Sequence, residues 1–155
     1  SYSLKFSDAP GLQYNFNPHM FYLPGIRAGT IVSSFAICLE QDANFYIEWR
    51  DGATPYRVGP SMHFGGNGEM SVGGKKVAEL PVGQWVRVEV RCPVGIAADG
   101  HFDLTVTLPG ESPRDFTGLS CGSTNFNWLE WYGFVADGDN DAVVYIDDIR
   151  LIVKK

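Results

Sequence analysis

Between residues 45 and 50 the chain alternates, apolar at Phe45, Ile47 and Trp49 and polar at Tyr46, Glu48 and Arg50. A period of two sends successive side chains to opposite faces of an extended strand, so Tyr46, Glu48 and Arg50 share one surface. A ring, a carboxylate and a guanidinium on one surface suit a polyhydroxylated ligand. Aromatic faces pack on the apolar side of a pyranose, and planar polar groups make paired hydrogen bonds to neighbouring hydroxyls. Arg87, Glu89 and Arg91 project in the same way from residues 85–91, where Val86, Val88 and Val90 take the other face. The two sets are expected to line one polar sheet face together. Tyr56 in the loop Pro55-Tyr56-Arg57, and Trp128, Glu130 and Tyr132 on one face of 128–132, complete the candidate ligand-binding set. The same spacing also describes an ordinary solvated face, on which each cross-strand ion pair contributes about 0.2–1 kcal/mol.

Two catalytic arrangements can be written with these residues. Retaining glycoside hydrolysis needs two carboxyls about 5 Å apart, and Glu48 with Glu130 is the pair that would have to meet across a groove. Eliminative cleavage needs a base beside a group that neutralises a carboxylate, for which Tyr46, Arg50 and His63 are the available set. No Glu-x-Asp-x-x-Glu run, Ser-His-Asp set or Cys-His set has supporting context. Gly65-Gly66-Asn67-Gly68 is a turn rather than a phosphate loop, because no Lys-Ser/Thr follows it. His19, His63 and His101 lack zinc spacing. Asp137-Gly138-Asp139-Asn140-Asp141 reads as a solvated turn, its glycine being misplaced for an EF-hand and no bidentate glutamate following.

These residues sit on strands. Ile31, Ser33, Phe35, Ile37 and Leu39 share a face, and the polar segment 40–44 then leads to 45–50 as a hairpin or meander. Residues 85–91 alternate cleanly, and 101–108 repeat the pattern with Phe102, Leu104, Val106 and Leu108 inward, so this pair is expected to run antiparallel. Residues 128–135 and 142–153 are expected to form a final hairpin. Within 128–132, one of Trp128 and Trp131 is expected in the core and the other partly exposed, depending on a bulge at Gly133. No long stretch keeps a 3.6-residue apolar period, so no helix is expected. About ten short strands at this spacing make an all-β sandwich or barrel.

The 155 residues fit one domain with one core. A net charge of −6, without any Lys/Arg-rich run, argues against nucleic acid and anionic membrane surfaces as partners. No apolar run approaches the length of a membrane span, so a soluble chain is expected, any signal peptide having been removed. Cys38, Cys92 and Cys121 allow one bridge and a spare thiol, or three buried thiols.

Read in order, Phe6-Ser7-Asp8-Ala9-Pro10-Gly11, Phe45 to Asp51, Leu80-Pro81-Val82-Gly83-Gln84-Trp85, Phe102 to Val106, Leu129 to Phe134 and Tyr145-Ile146-Asp147-Asp148-Ile149 resemble concanavalin A-like, laminin-G-like jelly-roll modules. The resemblance spans nearly the whole chain, and residues 1–155 are expected to form a single jelly-roll domain. It implies a two-sheet antiparallel β-sandwich, excised from a larger secreted protein, of the kind attached to bacterial polysaccharide-degrading enzymes. The function it implies is non-catalytic binding of a polysaccharide or oligosaccharide by a monomer, or by a module tethered to a catalytic domain, at a secreted, periplasmic or cell-surface location. Fold does not dictate function; a small polysaccharide hydrolase or lyase, and a structural accessory domain without a ligand, are the alternatives. The resemblance also implies a structural calcium on Asp8, Asp147 and Asp148, with loop carbonyls completing the shell; this chain has Lys5 and Ser7 where related modules often carry a further acid.

Overall fold

The computed structural model describes residues 2–155. Twelve strands build two antiparallel six-stranded sheets. Sheet A runs in the order β1 (Leu4–Asp8), β12 (Ala142–Lys154), β3 (Gly29–Leu39), β8 (Trp85–Val94), β9 (His101–Thr107) and β10 (Arg114–Ser120). Sheet B runs β2 (His19–Tyr22), β11 (Trp131–Ala136), β4 (Phe45–Arg50), β5 (Val58–Phe64), β6 (Glu69–Val72) and β7 (Lys75–Glu79). Among the described residues the one helical element is a single 3-10 turn, Gly95–Ala97. The architecture is the two-sheet jelly-roll sandwich expected from the sequence.

The core lies between the sheets and is filled by the alternating residues. Ile31, Phe35 and Ile37 on β3, with Val86, Val88 and Val90 on β8, meet Phe45, Ile47 and Trp49 from β4. Each large apolar side chain removed from water contributes about 1.5–3 kcal/mol, so the alternation itself drives the sheets together. One polar pair crosses this interior: Ser33 Oγ and Tyr132 Oη lie 2.8 Å apart, both residues fully buried. Burial pushes the Tyr132 phenol far up, which keeps it neutral as a partner for Ser33.

Two expected hairpins are instead arches between the sheets. β3 lies in sheet A and β4 in sheet B, and the same is true of β12 and β11. The segment after β3 is held on both sides, since Glu40 N–H donates to Val143 O in sheet A and Asp42 N–H donates to Gly66 O beside β5. The arch after β11 is fastened to the first, Asp137 N–H donating to Asn44 O and Asn140 Nδ2 to Asp42 O. These polar segments satisfy much of their backbone on each other and on elements distant in sequence. The antiparallel β8–β9 pair is as expected, with Val88 opposite Val106.

Candidate functional site

The outer face of sheet B collects the side chains that the core rejects. Strand pairing sets them in rows: His19, Val135, Tyr46 and His63 lie side by side, then Phe21, Gly133, Glu48 and Ser61, then Trp131 and Arg50. Arg50 Nε donates to Glu48 Oε2 at 2.6 Å, and Ser61 Oγ donates to Glu48 Oε1 at 3.2 Å. The guanidinium carbon lies 4.1 Å from the Trp131 ring centroid and 4.3 Å from that of Tyr56. Arg50 is thereby clamped between two aromatic rings and oriented by a carboxylate, a geometry in which the cation and the π-faces attract.

Tyr56 reaches this position because the segment 51–57 folds around one buried carboxylate. Asp51 Oδ1 accepts the N–H groups of Ala53 (3.0 Å) and Arg57 (2.8 Å), and Oδ2 accepts Arg57 Nε at 2.5 Å. Burial pushes the Asp51 carboxyl up, but the two N–H donors and the Arg57 side chain outweigh it and hold the carboxyl below its ordinary value. A lowered carboxyl contributes stability above the ordinary carboxylate range and loses it as pH falls through the folded-state value. Asp51→Asn is therefore expected to cost about 1–3 kcal/mol at neutral pH. The difference from wild type should shrink in acid, as thermal melts across pH would show. A constant difference would mean that the charge does not matter.

The face encloses a groove of about 410 Å³. Phe16, His19 and Phe21 form one wall, Tyr46 and Val135 the floor, and Trp131, Arg50 and Tyr56 the far end. Trp131 and Gly133 share this face of β11, and the indole lies flat over the glycine where a Cβ would stand. Burial pushes the Tyr46 phenol up, with Arg50 pulling it down and Glu48 pushing it up. At one margin His63 Nε2 stands 3.8 Å from Asp137 Oδ2, and Asp137 is itself pushed up by burial while His63 pulls it down.

Of the residues singled out in the sequence, the groove gathers Tyr46, Arg50 and Tyr56, with Glu48 behind Arg50 as its hydrogen-bond partner. Arg87, Glu89 and Arg91 do not join them, because β8 belongs to sheet A and its polar side faces outward on the opposite surface of the sandwich. There Arg87 pairs with Asp148 (2.7 Å) and Arg91 with Glu89 (2.6 Å). Tyr132 is a core residue, not a surface one. Trp128 sits at the end of the sandwich between the Arg27 and Arg57 guanidiniums, 4.9 and 5.2 Å from its ring. Glu130 packs near Gly52 and Trp128, whereas Glu48 is held by Arg50 and Ser61, and neither carboxylate lines the groove.

The calcium ligand set is likewise dispersed. Asp8 pairs with Ala142, and Asp147 lies five residues further along β12, about 17 Å away at strand rise. Among the described residues no three His, Cys, Asp or Glu side chains converge on a metal position. The donors present do not fit the ion, although Asp8 Oδ2 is buried without a partner and burial pushes that carboxyl up.

Trp131, Phe21, His19, Phe16 and Val135 line the groove and were not among the candidate site residues. Gly133, two positions after Trp131, was the available signal, since a glycine in a strand marks a close approach.

No protein-family model matches the chain, and no curated protein matches it in sequence. Solved structures do match in fold. An endo-β-1,4-glucuronan lyase from the fungus Trichoderma reesei aligns with a TM-score of 0.64 at 10% identity, over 98% of this chain and 80% of that one. An alginate lyase from Aplysia kurodai aligns at 0.57 and 7% identity, over 99% and 100%. A homodimeric agglutinin from chicken liver, CG-16, aligns at 0.50 and 10%, over 86% and 99%. At these identities the likeness establishes the fold, a jelly roll shared by polysaccharide lyases and lectin-like proteins.

Proposed function

We propose that the groove of sheet B binds a glycan chain without cleaving it, Arg50 pairing with an acidic substituent and the surrounding rings packing on pyranose faces. The observation that carries this reading is the clamped guanidinium. A planar cation held between Trp131 and Tyr56, its Nε taken by Glu48 and its remaining nitrogens beside the Tyr46 hydroxyl, is oriented to pair with a carboxylate or sulfate. Preorganisation lowers the entropy lost on binding. That structures of the same fold include a glucuronan lyase, an alginate lyase and an agglutinin supports a sugar as the ligand.

One observation favours eliminative cleavage as a second reading: Tyr46, in the row that contains His19 and His63, lines the same groove as Arg50. A phenol pushed up by burial stays protonated and is poorly set to act as the base that abstracts a proton, and binding is the better account. Affinity electrophoresis across neutral, uronic and sulfated polysaccharides, with ultraviolet detection of unsaturated products, separates the readings. Retardation by acidic polymers without product is expected. Accumulating unsaturated uronate would make the protein a lyase, and indifference to every polymer would leave a structural accessory domain.

A further inference from the structure

The groove wall continues beyond the clamp. Starting from Trp131, ring centroids step to Phe21 at 5.8 Å, to His19 at 6.1 Å, to Phe16 at 5.5 Å and to Tyr14 at 5.0 Å. β2 supplies the middle of this track, because His19 and Phe21 alternate onto its outer face. The preceding loop supplies the far end. It is secured by Asn17 N–H donating to Tyr14 O and by Ala136 N–H donating to Pro18 O, so Tyr14 and Phe16 stand on fastened backbone.

Three properties of the track bear on what it holds. Tyr14, Phe16 and Phe21 are 50%, 41% and 45% exposed, although burying a side chain of this size would contribute about 1.5–3 kcal/mol, so fold stability does not account for the arrangement. His19 and Phe21 are within 7° of parallel, yet at 6.1 Å they are too far apart for full face contact, and ring surface stays uncovered between them. Each step is also close to the advance of one pyranose unit along an extended polysaccharide.

We infer that this track makes the groove selective for an extended glycan over a short one: successive sugars pack along Trp131, Phe21, His19, Phe16 and Tyr14 from an acidic unit held at Arg50. The inference rests on the glycan-binding reading above and specifies its ligand as a linear acidic polysaccharide rather than a mono- or disaccharide. The cation stands at one end of the track, so the charged sugar sets the register and the rings add affinity with length. No second fixed cation lines the groove, and the remaining contacts need only sugar faces.

The test is isothermal titration with uronic acid oligosaccharides from disaccharide to hexasaccharide, on wild type and on Tyr14→Ala/Phe16→Ala. For wild type, affinity is expected to climb with length. The double variant should lose roughly tenfold on the hexasaccharide, the scale of two ring contacts, and clearly less on the disaccharide, so that its affinity climbs less steeply with length than that of wild type. Tyr14→Trp should retain the length dependence, and melting curves verify that both variants are folded. Equal affinity of wild type for both ligands, or an unimpaired double variant, would overturn the track. Failure of wild type to bind any of the series would instead remove the glycan reading on which the track depends.

Discussion

Replacing Arg50 with alanine is expected to weaken binding of an acidic polysaccharide by at least tenfold, the scale on which a stacked, partly buried arginine acts when truncated at a recognition site. The variant removes the only fixed positive charge lining the groove and unclamps Trp131 and Tyr56 together. It also leaves the Glu48 carboxylate, largely shielded from water, with Ser61 as its sole hydrogen-bond partner. A modest loss of stability, about 1 kcal/mol, should accompany the loss of binding. Arg50→Lys separates charge from shape: lysine keeps the charge but has neither the planar surface that the rings hold nor the fork that pairs bidentately. Binding by Arg50→Lys should stay close to that of Arg50→Ala. Recovery of most of the affinity with lysine would show that the groove senses charge alone.

Gly133→Ala should affect binding strongly and folding little. A methyl group at this position overlaps the Trp131 ring rather than backbone, so relief comes from lifting the indole off the sheet. A strand accepts alanine as readily as glycine, and the fold is expected to change by less than about 1 kcal/mol. With the indole displaced, Arg50 loses one side of its clamp and the aromatic track loses its junction with the cation. Affinity for acidic oligosaccharides should fall roughly tenfold, and Trp131→Ala should do no worse. Titration beside a thermal melt checks both halves. Unchanged affinity with an unchanged melt would mean that the flat-lying indole does not contact the ligand.

Alternation within strands was readable, and with it the choice between inside and outside. Phe45, Ile47 and Trp49 are buried as their period requires, and Tyr46, Glu48 and Arg50 share the opposite face. Parity says which side of a strand a residue takes but not which sheet the strand joins. For this reason Arg87 and Glu89, facing outward as expected, lie on the far surface of the sandwich. The arches 40–44 and 137–141 look like hairpin turns because both are polar and short, while the hydrogen bonds that make them arches come from each other and from distant strands. Around Trp131 the alternation resets: Leu129 is buried through an isolated pairing with Ile26, Glu130 N–H is taken by Arg50 O, and the next inward residue is Tyr132. An uninterrupted strand from 128 places Tyr132 outside, and only the break corrects it. The track from Tyr14 to Phe21 was hidden differently. Pro10, Gly11 and Pro18 interrupt any period, and the strand that follows is four residues long.

The four sheet edges are unequally protected against self-association. β1 carries Lys5, β7 carries Lys75, Lys76 and Glu79, and β10 carries Arg114, Asp115 and an irregular register after Phe116. Such charges and bulges discourage another strand from docking on unpaired backbone groups. β2, with the sequence His-Met-Phe-Tyr, has no permanently charged residue and no bulge. Any charge placed there would interrupt the rings it presents. The edge that carries the proposed glycan track is therefore the one least insulated from its own kind, and colloidal behaviour at high concentration is expected to be governed by the four residues of β2.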